Sequence, residues 1–164
     1  MAITLPSELM AVLSAIGHDF PESNEDALMD IGQAWMDFGG ELADILGESG
    51  ASAAQAWTDQ VGQDIDAFKA WWESEDGPSE ILSSGATGAM VGGAGMMIAS
   101  IIVLCLKIMV IVQVVILAVQ IALAIAEAAV TFGASLLQIP IFRQITKEIV
   151  SNLIQEAIFK LVAG

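Results

Sequence analysis

Residues 89–106 carry no charged side chain and neither do residues 108–126; Lys107 alone separates the two stretches. Side chains of this kind are driven out of water, so a run of this length must be covered by protein or by lipid. The start of the chain has the opposite character. Residues 1–82 hold seventeen of the twenty Asp and Glu and a single base, Lys69, for a local net charge of −16. Residues 83–164 set Glu127, Glu148 and Glu156 against Lys107, Arg143, Lys147 and Lys160, for a net of +1. The chain therefore divides into an acidic region, 1–82, and an apolar region, 83–164, and reads as a recognition module joined to a segment that needs cover.

The charge balance removes whole classes of function. With twenty acids against five bases, the chain lacks the clustered Lys and Arg that nucleic-acid phosphates require. Its acidic half repels anionic lipid. His18 is the only histidine, which rules out His clusters for metal and Ser-His-Asp triads. Cys105, the only cysteine, sits inside the apolar run and is expected to be a buried, inert thiol. The carboxylates Asp64, Asp66, Glu73, Glu75 and Asp76 do not form a calcium loop with its central Gly and terminal Glu. The Gly-rich stretch 85–95 has no Gly-Lys-Ser/Thr and no preceding strand signal. No catalytic, metal or cofactor residue is assigned, no cofactor is expected, and the chain is expected not to be an enzyme. The start, from Met1 to Pro6, lacks the basic and apolar regions of a signal peptide. Export would use a non-Sec route.

The hydrophobic spacing predicts an all-α fold. Pro6 opens a short helix with Leu9, Val12, Leu13 and Ile16 on one face, ended by Gly17. Ser23-Asn24-Glu25-Asp26 reads as a helix cap followed by acids where the helix dipole favours them. Leu28, Ile31, Trp35, Phe38, Leu42 and Ile45 then alternate at spacings of 3 and 4, the seam of a helix packed lengthwise on a partner. That helix is expected to loosen or end at Gly47–Gly50. A third pattern runs through Trp57, Val61, Ile65, Phe68 and Trp72 and stops at Asp76-Gly77-Pro78. Together these predict an antiparallel acidic hairpin over roughly 24–76, whose stripes are too narrow to make a core alone.

The covering layer is a long helix through the apolar run, with Gly88-x-x-x-Gly92 offering a site of close helix contact. Gly133 marks a bend, and Pro140 begins an amphipathic last helix with Ile145, Ile149, Leu153, Ala157 and Leu161 on one face. Both 89–106 and 108–126 approach the ~20 residues of a transmembrane helix. The aromatic anchors of a membrane belt are missing, because there is no Tyr and every Trp lies in the acidic half. Gln113, Gln120 and Glu127 recur every seven residues and form a polar stripe on the apolar rod. The stripe is either a solvent-facing or inter-helix seam of a buried helix, or a membrane or oligomer surface lining a pore.

A set of short motifs in order carries a family resemblance. Leu5-Pro6-Ser7-Glu8 comes first, then Ile16-Gly17, Phe20-Pro21, Asn24-Glu25-Asp26 and Trp35-x-x-Phe38. Gly62 with Phe68 and Trp71-Trp72 follows, then the Ala/Val/Ile-rich helix, Gly133-Ala134 and Pro140. Over most of its length the chain resembles the WXG-like N-terminal domain of actinobacterial polymorphic toxins, the CpnT-like channel-protein group within the type VII (ESX) secretion hairpin superfamily. The resemblance implies a non-catalytic secretion-linked targeting or interaction domain, often joined to a toxin and proposed to act in membrane channel formation. It implies a hairpin-turn role for Gly62, which here follows Gln60-Val61 without the family's Trp. It implies an export contact near Trp71, Trp72 and Asp76, where Trp72-x-x-x-Asp76 stands in place of a Tyr-based signal. Expected partners are secretion machinery, cargo or a second copy, with a membrane as a further candidate; the expected location is secreted or membrane-associated. The alternative is a small integral membrane or pore-forming protein with 89–126 in lipid.

Overall fold

The computed structural model describes residues 2–163, and among these every regular element is helical. The order is α1 (Ser7–Ala15), α2 (Glu25–Thr58), α3 (Gln63–Trp72), α4 (Pro78–Glu127) and α5 (Ile139–Ala163), with a 3-10 turn at Ala134–Gln138 before α5. The all-α expectation holds, and the long apolar helix packs against the others. The Val- and Ile-rich stretch of 108–119, which favours strand locally, is helical throughout. At ~1.5 Å per residue α4 is roughly 75 Å long.

The chain divides into two units, residues 28–98 and residues 1–27 with 99–164. In the first, α2 and the opening turns of α4 run antiparallel with their backbones nearly touching. Gly32 faces Gly93 and Met97, while Gly39, seven residues on, faces Ala86 and Met90, seven residues back. Glycine is required at these points. A Cβ on Gly93 would lie 2.6 Å from the Gly32 carbonyl oxygen, and one on Gly39 would lie 2.9 Å from that of Ala86. Met36, Met90 and Met97 fill the space beside the glycines, as flexible thioethers do in irregular gaps.

This packing shifts several expectations. The close contact uses Gly93, whereas Gly88 and Gly92 meet nothing within 4 Å. Tight approach selects the face bearing Gly32 and Gly39, so Ile31, Trp35, Phe38 and Ile45 of the expected seam stay exposed. The α2 helix passes through Gly47 and Gly50 and ends at Thr58. Isolated glycines cost a helix only ~1 kcal/mol each, too little to break one this long. The third helix begins at Gln63, leaving Val61 fully exposed.

The second unit has the larger core. Leu5, Leu13 and Ile16, from and around α1, close over Val110, Val114 and Leu117 of α4 and Val150 of α5. Asn24 caps α2 by accepting a hydrogen bond from the Ala27 amide at 3.0 Å. On α5 the buried residues are Thr146, Val150 and Ala157. Ile145, Ile149 and Leu161, expected on the covered face, are exposed because the packed face is turned by one position.

Candidate functional site

Buried in the second unit lies Lys107, the charge that interrupts the apolar run. It is 2 % exposed, as is Glu25, and the two form an ion pair at 2.6 Å. The Lys107 ammonium also donates to the backbone carbonyls of Ser23 at 2.5 Å and Ile3 at 3.3 Å, and lies 5.7 Å from the Phe20 ring centre. Glu25 accepts from the Ile3 amide through its other carboxylate oxygen, and its own backbone carbonyl accepts from the Ser100 hydroxyl at 2.7 Å. The Ile3 amide and the Lys107 ammonium hold the Glu25 carboxyl well below its ordinary range, at about 2. The node ties three separated segments together, and its charges satisfy each other. It is a structural clamp, and no free group remains on it for chemistry. Sequence spacing places Glu25 among the first-turn acids and leaves open whether Lys107 is paired with an acid or exposed, since eighty-two positions separate the two.

The α2–α3 end gathers aromatic rings. Phe68 packs against Trp57, Trp71 and Trp72, with ring centres 5.7, 6.1 and 6.4 Å apart. The Lys69 ammonium lies 5.9 Å from the Trp57 ring centre. Gly62 takes φ +156° and ψ +159°, a region essentially reserved for glycine, and so allows the reversal between α2 and α3. Trp71 is 56 % exposed, Trp72 is half-buried and Asp76 is exposed. The structure therefore groups Trp71 and Trp72, with Gly62 at the turn before them.

A second apolar surface runs along α2. Ile31, Ala34, Trp35 and Phe38 line one shallow depression, with Trp35 and Phe38 in edge-to-face contact at 6.0 Å. Ile45 lies further along the helix and is 51 % exposed. Along α4, only 22 % of the most apolar eighteen-residue stretch is buried, and the helix is long and apolar enough to cross a membrane. Gln113 and Gln120 are half-buried and Glu127 is exposed, so the seven-residue stripe is not fully covered. Cys105, expected to be buried, is exposed. It lines an apolar groove of about 190 Å³ with Ile101, Met109 and Leu153, and the Glu156–Lys160 pair stands at its edge. Its position on α4 points it away from the α1 core, which takes Val110, Val114 and Leu117 instead.

His18, on the connector after α1, sits 3.1 Å from the Ser151 hydroxyl. Among the described residues no three His, Cys, Asp or Glu side chains are placed to hold a metal ion.

Helix α2 thus packs through its glycines, leaves a 3-4 apolar stripe uncovered and ends at a Trp-rich turn. A family model described as WXG100 like domain matches residues 3–149. The chain belongs to that family. Comparison with curated proteins and with solved structures returned no match. The WXG100-like domain is a secretion-associated helical protein, typically non-catalytic, that acts through protein–protein interaction. The match takes in α1 to α4 and the beginning of α5, and so includes both the aromatic reversal and the Lys107 clamp.

Proposed function

We propose that this WXG100-like domain is a targeting and interaction module of type VII secretion, similar to the N-terminal module of secreted toxins, which docks a helical protein partner on α2. The carrying observation is the exposed row Ile31, Trp35, Phe38 and Ile45, spaced 4, 3 and 7. Large apolar residues at that spacing fit a second helix lengthwise, and two aromatic rings at the centre suit an interface anchor. Acids beside the row, among them Asp30, Asp37 and Asp44, favour a partner with bases along its rim. Trp71, Trp72 and Asp76, on and just after α3, form the export contact of this reading.

The test is export. In a host with a type VII system, wild type accumulates outside the cell, and loss of the system's ATPase keeps it inside. Phe38→Asp, on an exposed position, lowers extracellular protein by about 10-fold, as expected from charging an interface anchor. Unchanged export without the ATPase overturns the reading.

A second reading is favoured by the exposed length of α4. In it the domain is membrane-active: 108–126, bounded by Lys107 and Glu127, enters lipid, and Gln113, Gln120 and Glu127 meet neighbouring copies or a lumen. Nineteen residues rise ~28 Å, close to a hydrocarbon core of ~30 Å.

A further inference from the structure

The turn between α4 and α5 presents its apolar side chains outward. Val130 is 81 %, Phe132 99 % and Leu137 75 % exposed. Residues 128–142 contain no charged side chain. The backbone makes the exposure of Phe132 harder to dismiss as accident. Phe132 stands at φ +55°, followed by Gly133 at φ +86°. A left-handed position suits Gly, Asn or Asp, and an aromatic residue there is strained. Phe132 is almost wholly exposed, so no core packing repays the strain, and strained backbone positions cluster at functional sites.

The turn also binds up part of its own backbone. The Thr131 amide donates to the Glu127 carbonyl at 3.0 Å, and the Gly133 amide to that of Ala128 at 2.8 Å. The Leu136 amide donates to the Gly133 carbonyl at 3.1 Å. The Ser135 amide donates to the Thr131 hydroxyl at 3.2 Å, and the buried Ser135 hydroxyl to the Ala124 carbonyl at 2.7 Å. A segment can leave water for hydrocarbon only when its polar backbone groups find partners within the protein.

We propose that this turn is a membrane-contact tip: Val130, Phe132 and Leu137 enter the outer hydrocarbon of a phospholipid bilayer while Arg143 and Lys147 meet headgroup phosphates. The inference rests on the membrane-active reading above and names where contact begins. Three side chains 75–99 % exposed within one chain reversal are of a kind that a fluid apolar phase accommodates. The charges fit the same occupant. Arg143 and Lys147 lie ~6 and ~12 Å along α5 from its first residue, the scale of the headgroup layer above side chains buried ~5–10 Å deep. Both line a cleft of about 490 Å³ with Gly17 and Pro140, and neither forms an ion pair among the described residues. Of the nearby acids, Glu127 lies at the start of the turn, and Glu148 accepts a hydrogen bond from Gln144. In a chain of net charge −15, two bases with no ion pair among the described residues, beside an uncharged apolar tip, form a local exception.

Flotation with vesicles of phosphatidylcholine and a minor fraction of phosphatidylglycerol tests this on the full chain. Wild type floats. Phe132→Asp combined with Leu137→Asp lowers the bound fraction by at least about 10-fold, since both side chains lose their apolar transfer. Phe132→Gly separates folding from function: it relieves the left-handed strain, raises the melting temperature and still weakens flotation. Arg143→Gln with Lys147→Gln weakens flotation and flattens its dependence on phosphatidylglycerol. Should the tip variants float like wild type while Val119→Asp on exposed α4 does not, the tip is overturned and the membrane-active reading stands. Absence of wild-type flotation overturns both. Loss of self-association in the tip variants, with flotation intact, assigns the turn to a second copy and overturns the proposal.

Discussion

Two glycine-to-alanine substitutions on the same face-to-face helix pair are expected to move stability in opposite directions. In Gly93→Ala the new Cβ would stand 2.6 Å from the Gly32 carbonyl oxygen and 2.9 Å from the Met36 amide nitrogen. Both are backbone atoms and cannot rotate away. An ordinary carbon–oxygen contact is ~3.3 Å or more, so the helices must part by roughly 0.7 Å. Overpacking of this kind costs about 1–3 kcal/mol, and the separation also weakens contacts along the methionine-filled seam. The gain from replacing Gly by Ala in a helix offsets about 1 kcal/mol. The net expectation is a loss of up to about 2 kcal/mol. Gly88→Ala, five residues earlier, meets nothing within 4 Å and keeps the full helix gain of up to about 1 kcal/mol. Urea unfolding followed by tryptophan fluorescence is the assay, because Trp35, Trp57, Trp71 and Trp72 all belong to the unit these glycines hold. The midpoints should move in opposite directions at similar slope. Equal stabilisation by both substitutions would refute close backbone packing at Gly93.

The other predictions concern the clamp and the thiol. Glu25→Gln leaves Lys107 buried without its counter-charge and should cost about 3–5 kcal/mol, whereas adding Lys107→Met should recover much of that loss in the same unfolding assay. The Glu25 pKa falls on folding from 4.5 to about 2, so its contribution is complete above pH 4.5. It is lost as pH falls through that window, and the stability gap between wild type and Glu25→Gln should narrow between those values; a gap constant down to pH 2 would contradict the clamp. Cys105 should react stoichiometrically with a small maleimide in native buffer, followed by mass spectrometry, since its side chain is exposed. A requirement for denaturant would place it in the core.

Much of the helix pattern is legible along the chain. Pro6, Asn24, Pro78 and the region of Pro140 mark starts, Gly17 marks an end and Gly133 a bend, because capping and left-handed backbone are decided by near neighbours. The spacing of Trp57, Phe68 and Trp72 is also a local pattern, whereas a turn role for Gly62 comes only from the family resemblance. Which face of each helix is covered was not. For α2 the larger residues pointed to Ile31, Trp35 and Phe38, yet the helix packs through Gly32, Met36 and Gly39. Hydrophobic spacing identifies faces able to be buried; it does not reveal that a glycine face lets two backbones approach more closely.

The sequence by itself determined an all-helical chain with an acidic beginning and a charge-free run that must be covered, because helix periodicity and the expulsion of apolar groups from water act residue by residue. Only the tertiary structure decided how the interrupting charge is accommodated and what is left bare. Lys107 meets Glu25, Ile3 and Ser23 across more than eighty positions, and the α2 row, the outer face of α4 and the Phe132 turn remain open. Partner choice over such distances is set by which surfaces fit once the chain has closed on itself, and spacing along one helix holds no information about that fit.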